Sequence, residues 1–140
     1  MKSRSEIHHE EYSKTVNIEA LTTYDIALRE IYPACVKYAS AVADNISKLR
    51  SVSASVNTHS QEEILEKVNS LSNDLYSECR ILDITIKEAQ SLSGSLQSHY
   101  YRTDVLPRME EVRRISDELE LVVGREYWPF PTYSDILFYN

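Results

Sequence analysis

The sequence predicts an all-α fold: an antiparallel up-down-up bundle of three long helices, followed by an extended aromatic C-terminal tail. Three observations carry this. The 140 residues contain only two glycines, Gly94 and Gly124, and four prolines, far fewer breakers than an all-β chain needs for its turns. Apolar residues recur by threes and fours through three long stretches, the period of an amphipathic helix. The stretches between them are short, and short connections force neighbouring helices antiparallel.

The first helix is expected over about 3–53. Leu28, Ile31, Cys35, Tyr38, Val42, Ile46 and Leu49 form one stripe, with Lys37, Asp44 and Lys48 lying off it. Pro33 interrupts the stripe. A proline removes one helical hydrogen bond and clashes with the preceding turn, so a kink is expected near Arg29–Pro33. The periodicity continues beyond it, which argues against a full break.

The second helix is expected over about 60–93. Ser60-Gln-Glu-Glu63 has the form of a capping box. Ile64, Val68, Leu71, Leu75, Cys79, Leu82, Ile86 and Ala89 follow as a seam resembling that of a coiled coil, with a stutter between Leu75 and Cys79. Gly94 is the expected stop, free to take the left-handed conformation.

The third helix is expected over about 96–123, with Tyr101, Val105, Met109, Val112, Ile115, Leu119 and Val122 in a stripe, a kink at Pro107 and an end at Gly124. The central core is expected from Ile31, Cys35, Val42, Leu71, Leu75, Leu82, Val112 and Leu119. The chain thus divides into a bundle, 1–124, and a tail, 125–140.

The tail is built differently. Pro129 and Pro131 exclude a regular helix, and Thr132 with Asp135 could cap a last turn carrying Ile136, Leu137 and Phe138. A segment this apolar must lie against something, because each buried ring is worth about 1.5–3 kcal/mol. Trp128, Pro129, Phe130, Pro131, Tyr133, Ile136, Leu137 and Phe138 are therefore the expected docking residues. Left bare, they would drive self-association.

Composition narrows the function. The net charge is −7 and the sequence pI about 5.1, which argues against a nucleic-acid partner, since phosphate binding uses clustered Lys and Arg. Arg102, Arg108, Arg113 and Arg114 make a mildly basic patch, diluted by Glu110, Glu111 and Asp117. No run of 18 apolar residues is present to span a membrane, and MKSRSEIHHEEY is not a signal sequence, so a cytoplasmic location is expected. Cys35 and Cys79 lie far apart and read as reduced core residues.

His8-His9-Glu10-Glu11 is the one local cluster of metal-ligating types, but adjacent histidines on a helix point about 100° apart, and the zincin spacing is absent. His59 and His99 are isolated. The carboxylates alternate with bases at helical spacing (Glu63 with Lys67, Glu110 with Arg114), the pattern of a solvated face. No phosphate loop, nucleophile elbow or nucleophile–base pair is found, so no catalytic, cofactor-binding or metal residue is assigned.

Two stretches are distinctive: Ser3-Arg-Ser-Glu-Ile7 with Glu11-Tyr-Ser-Lys-Thr-Val-Asn-Ile-Glu-Ala-Leu-Thr22 and Ile31-Tyr-Pro-Ala34, then Tyr100-Tyr-Arg-Thr-Asp-Val-Leu-Pro-Arg-Met109 running through Glu118-Leu-Glu-Leu-Val-Val123 to Trp128-Pro-Phe-Pro-Thr-Tyr-Ser-Asp-Ile-Leu-Phe138. Together they resemble the C-terminal region of type III glutamine synthetase, the large bacterial glutamate–ammonia ligase. Phe130 departs from the leucine expected in Trp-Pro-Leu-Pro, and Thr23-Tyr24 from a more Met-like step.

The resemblance implies a parent enzyme that joins ammonia to glutamate with ATP and divalent metal ions, through glutamyl phosphate, and assembles as stacked six-subunit rings. Its catalytic motifs lie in regions upstream, and none of them occurs here. The chain is then expected to be a non-catalytic helical domain following the catalytic part, supporting fold and assembly. Its partners would be that catalytic region and neighbouring subunits. The competing reading is a free-standing helical interaction module using the seam of the second helix.

Overall fold

The computed structural model describes residues 3–131. Among these the chain is helical with no strand, in three runs, 4–52, 59–90 and 94–122. We number the helices α1 (Arg4–Ile26), α2 (Tyr32–Val52), α3 (His59–Gln90), α4 (Gly94–Tyr100) and α5 (Leu106–Val122). Single π-helical turns, Ala27–Ile31 and Tyr101–Val105, join α1 to α2 and α4 to α5.

Those turns are how the helices take up their prolines. Pro33 and Pro107 each lie in the first turn of the helix that follows, where the missing N–H costs least. The residue before each proline donates five residues back, Tyr32 to the Ala27 carbonyl and Leu106 to the Tyr101 carbonyl. Both runs therefore stay helical, with a wide turn marking each proline.

The helix starts differ from expectation. Ser60 caps nothing: its hydroxyl donates to Gln61 Oε1 at 3.0 Å, and the N-cap of α3 is Thr58. Arg50 draws the start forward. Its guanidinium donates to Thr58 Oγ1 at 3.2 Å and pairs with Glu62, stitching the end of α2 to the first turn of α3. The capping box is at Ser3 instead, where Glu6 N–H donates to Ser3 Oγ and Ser3 N–H to Glu6 Oε2, both at 3.3 Å. Ser3-Arg-Ser-Glu6 carries the same signature as Ser60–Glu63 and was open to the same reading.

The glycines also trade roles. Gly94 has φ +61°, the left-handed conformation, but it opens α4 rather than closing α3, which ends at Gln90 with Ser91 as its C-cap. Gly124 does not take a positive φ. The third run ends at Val122, with Val123 extended behind it and its N–H bonded to the Leu119 carbonyl at 2.8 Å.

α3 packs along both α2 and α5, while α1 lies against α4 and also reaches α3 and α5. Leu75, Leu82, Val68, Met109, Leu119 and Cys35 are buried at the centre. Two expected core residues sit further out. Leu71 is half-buried against the core, and Val42 is half-buried outside it, on a stretch of α2 whose one fully buried residue is Ile46. The core instead extends down α1 through Val16 and Ala20 to Ala27 of the first π turn.

Candidate functional site

The chain past α5 turns back on itself. The Gly124 carbonyl accepts from Tyr127 N–H at 2.9 Å and Trp128 N–H at 3.2 Å, closing a tight turn over Gly124–Trp128. Tyr127 meets Tyr38 of α2 edge-on, with ring centroids 5.4 Å apart. Trp128 is only 8% exposed and joins the core, and Phe130 packs half-buried against it. Pro129 and Pro131 are exposed. Tyr133, Ile136, Leu137 and Phe138 lie outside the described residues, as does the expected cap of Thr132 and Asp135.

Gly124 is closely approached by its neighbours here. A Cβ at this position would stand 3.0 Å from Tyr38 Cε1 and 3.6 Å from Tyr127 Cδ2. The Trp128 indole N–H is buried with no acceptor among the described residues. Such a donor costs roughly 1–3 kcal/mol unless something further supplies an oxygen.

The molecule also shows an apolar groove. A hollow of about 370 Å³ runs between α1 and α5, floored by Ala27, Ile31 and Val112 and edged by Ile18 and Ile26. Ile18 is 63% exposed, and Leu21 and Ile7 on the same helix are also exposed.

The titratable groups are held for structure. Burial pushes the thiols of Cys35 and Cys79 up to about 11, so both stay protonated and unreactive at neutral pH. Tyr100 donates to the Glu88 carboxylate, and that bond, with burial and the nearby charge, pushes its hydroxyl up to about 12. Arg114 is clamped by Glu111 and Glu118, each at 2.6 Å, which raises its already high pKa and lowers that of Glu111.

The expected pairs Glu110–Arg114 and Glu63–Lys67 do not form. Arg114 chooses partners three residues back and four ahead, and Glu63 faces His59 Nε2 at 3.7 Å. Two further arginines of the patch are also occupied: Arg108 reaches Glu78 at 3.4 Å and Arg102 lies over the Tyr12 ring, 5.3 Å from its centroid. Among the described residues no three His, Cys, Asp or Glu side chains are grouped as a metal would need. His9, from the cluster His8–Glu11, bonds through Nδ1 to the buried Ser98 hydroxyl at 2.7 Å, tying α1 to α4. No helix among the described residues is long and apolar enough to cross a membrane.

This is a helical domain with an aromatic turn-back packed onto its core and an apolar groove open at its surface. Comparison with known proteins shows what it is similar to. Residues 1–50 match the family model described as the glutamine synthetase C-terminal domain. The chain is 31% identical to the type-3 glutamine synthetase of Dictyostelium discoideum, over 99% of its own length and 20% of the relative's. It is 28% identical to the glutamine synthetase of Butyrivibrio fibrisolvens, over 97% of this chain and 20% of that one, and 24% identical to that of Bacteroides fragilis (strain YCH46), over 96% and 19%. The chain thus spans about a fifth of the length of the relatives it matches, and it is a homologue of the C-terminal portion of type-3 glutamine synthetases.

Proposed function

We propose that this chain acts as the helical, non-catalytic C-terminal domain of a glutamate–ammonia ligase, bracing the enzyme's fold and oligomeric assembly. One observation carries the reading: similarity along almost the whole chain to only a fifth of a glutamine synthetase. ATP, divalent metal and glutamate would be handled by the preceding four-fifths, in the cytoplasm. In this role the three runs form an up-down-up bundle. Connections of only a few residues at 53–58 and 91–93, and the packing of α3 on both α2 and α5, support that order.

The face we assign to the rest of the polypeptide is the α1–α5 groove together with the tail. The groove exposes Ile18, and the Trp128 indole N–H awaits an acceptor. The relatives' length supplies an occupant: the preceding part of the same polypeptide, or the equivalent part of a neighbouring subunit. Docking residues Trp128 and Phe130 hold the start of the tail to its own bundle. A free-standing module would have to leave the groove and its exposed Ile18 bare.

The test is deletion of 126–140 from the longer enzyme. Ring assembly and thermal stability should fall, measured by sedimentation and thermal melting. A truncated enzyme with unchanged assembly, melting temperature and activity refutes the bracing role. Separately, the 140-residue chain should bind no ATP in the presence of Mg²⁺, and saturable micromolar binding would refute its non-catalytic character.

A further inference from the structure

A second hollow, of about 320 Å³, lies at the opposite kind of surface, between α1, the end of α3 and the start of the third run. Its lining is polar: Ser13, Lys14 and Asn17 from α1, Gln90 from α3, Gln97 from α4 and Tyr101 from the second π turn. Hollows of this size accommodate small molecules.

Ser13 marks it as more than a surface irregularity. Hydroxyls inside helices usually bond back to the carbonyl four residues earlier. In this chain Ser72, Thr85, Ser116, Thr15 and Thr22 all do so, at 2.6–2.9 Å. Ser13 does not. It is 5% exposed, lines the hollow, and its hydroxyl has no partner among the described residues.

The hydrogen bonds around it define what remains to be recognised. Asn17 Oδ1 accepts twice, from Gln90 Nε2 at 3.1 Å and from the Tyr101 hydroxyl at 3.0 Å. Its amide nitrogen is then left to donate. Gln90 donates through Nε2, and so does Gln97, to the Ala89 carbonyl at 3.0 Å, so both keep a carboxamide oxygen to accept. Lys14 adds a cation, and the carboxylate of Glu10 lies at the rim. Donors with positive charge and acceptors with negative charge thus share one small hollow.

We propose that this cleft binds a small zwitterion of the free α-amino acid class. The ligand carboxylate is held by the Lys14 ammonium and the Asn17 amide. Its ammonium is held by the carboxamide oxygens of Gln90 and Gln97, and the Ser13 hydroxyl completes either set. The site does not depend on the bracing role, and its failure would leave that role standing.

The probe is L-glutamine, titrated into the uniformly ¹⁵N-labelled 140-residue chain and followed by amide chemical shifts. Saturable shifts centred on residues 13–17, 90, 97 and 101 are expected. Ser13→Ala removes an unbonded hydroxyl, so it should keep or raise the melting temperature while weakening binding about tenfold, near 1.4 kcal/mol. Lys14→Gln, at an exposed position, should weaken binding at least as much with the fold unchanged. The proposal is overturned if no saturable shift is seen, if either variant binds as tightly as the parent, or if sodium acetate alone reproduces the same shifts at the same concentration, which would mark an anion site only.

Discussion

Replacing Gly124 by alanine isolates the contact on which the turn-back depends. The new Cβ would sit 3.0 Å from Tyr38 Cε1, closer than carbon atoms normally pack, and 3.5 Å from Tyr38 Cδ1, an ordinary contact. Movement of the Tyr38 ring away from it would disturb the edge-on contact with the Tyr127 ring, 5.4 Å between centroids. Overpacking of this kind costs about 1–3 kcal/mol. Alanine also restricts the unfolded chain, which favours folding by about 0.4–1 kcal/mol, and no positive φ adds strain at this position. The net expectation is a loss of about 1 kcal/mol. With a urea m-value of about 2 kcal/mol/M, the midpoint should fall by about half a molar at unchanged m. In a Tyr38→Ala background the ring is gone, and the same glycine replacement should be neutral or stabilising, which a double-mutant cycle reads directly. If Gly124→Ala alone matches or exceeds the parent's midpoint, the close approach does not hold the glycine in place.

Other perturbations probe the core, the thiols and the tyrosines. Leu75→Ala, at a fully buried site, should cost about 2–5 kcal/mol in urea unfolding, whereas Val42→Ala, half-buried outside the core, should cost about 1 kcal/mol or less; equal losses would contradict the core boundary. Cys35 and Cys79, buried with thiols near 11, should resist an aromatic disulfide reagent at pH 8 in the native chain and react once urea unfolds it. Tyr100, held at about 12 against an ordinary 10, keeps its proton more tightly when folded. Its contribution is therefore complete below pH 10 and disappears as the pH rises toward 12, and Tyr100→Phe should flatten that part of the stability profile. A profile identical to the parent's would dismiss the Tyr100–Glu88 bond.

What the residues disclosed in advance was whatever depends on spacing along one helix. Every member of the α3 seam, from Ile64 to Ala89, is buried or half-buried, and so is every member of the third stripe from Tyr101 to Val122. The three runs end within about three residues of their expected limits, since hydrophobic periodicity reports faces well and ends poorly. The failures involve competition. Ser60 has the right letters for a cap, yet Arg50, reaching across from another helix, made Thr58 the start. Gly124 was read for its freedom of φ, but its reason is the ring of Tyr38, 86 positions away in sequence from a glycine with ordinary dihedrals. The polar cleft was invisible for the same reason. Asn17 bonds Gln90 and Tyr101, at separations of 73 and 84 residues, and none of these letters stands out alone. The Tyr127 and Trp128 contacts lay between these extremes: their apolarity demanded a surface, without saying that the first surface would be their own bundle.

The two π turns show that a buried stripe and a proline can ask for the same irregularity. Ala27, Ile31 and Cys35 are buried in steps of four, and so are Tyr101, Val105 and Met109. In an α-helix each step of four advances about 40° beyond a full turn, at 100° per residue, so two such steps would carry the third side chain about 80° around the helix and off the core. A turn closed by an i→i+5 bond contains one residue more and absorbs that drift. The prolines follow at the same offset, Pro33 two residues after Ile31 and Pro107 two residues after Val105, where their missing N–H groups leave the α-pattern already broken. Ala27-x-x-x-Ile31-x-Pro33 and Tyr101-x-x-x-Val105-x-Pro107 are thus the same device used twice, at two points that both face the core. The first floors the apolar groove with Ala27 and Ile31, and the second carries Tyr101 into the polar cleft. Each surface assigned a role here is therefore built on a wide turn, and a straight helix at either place would turn its lining residues away.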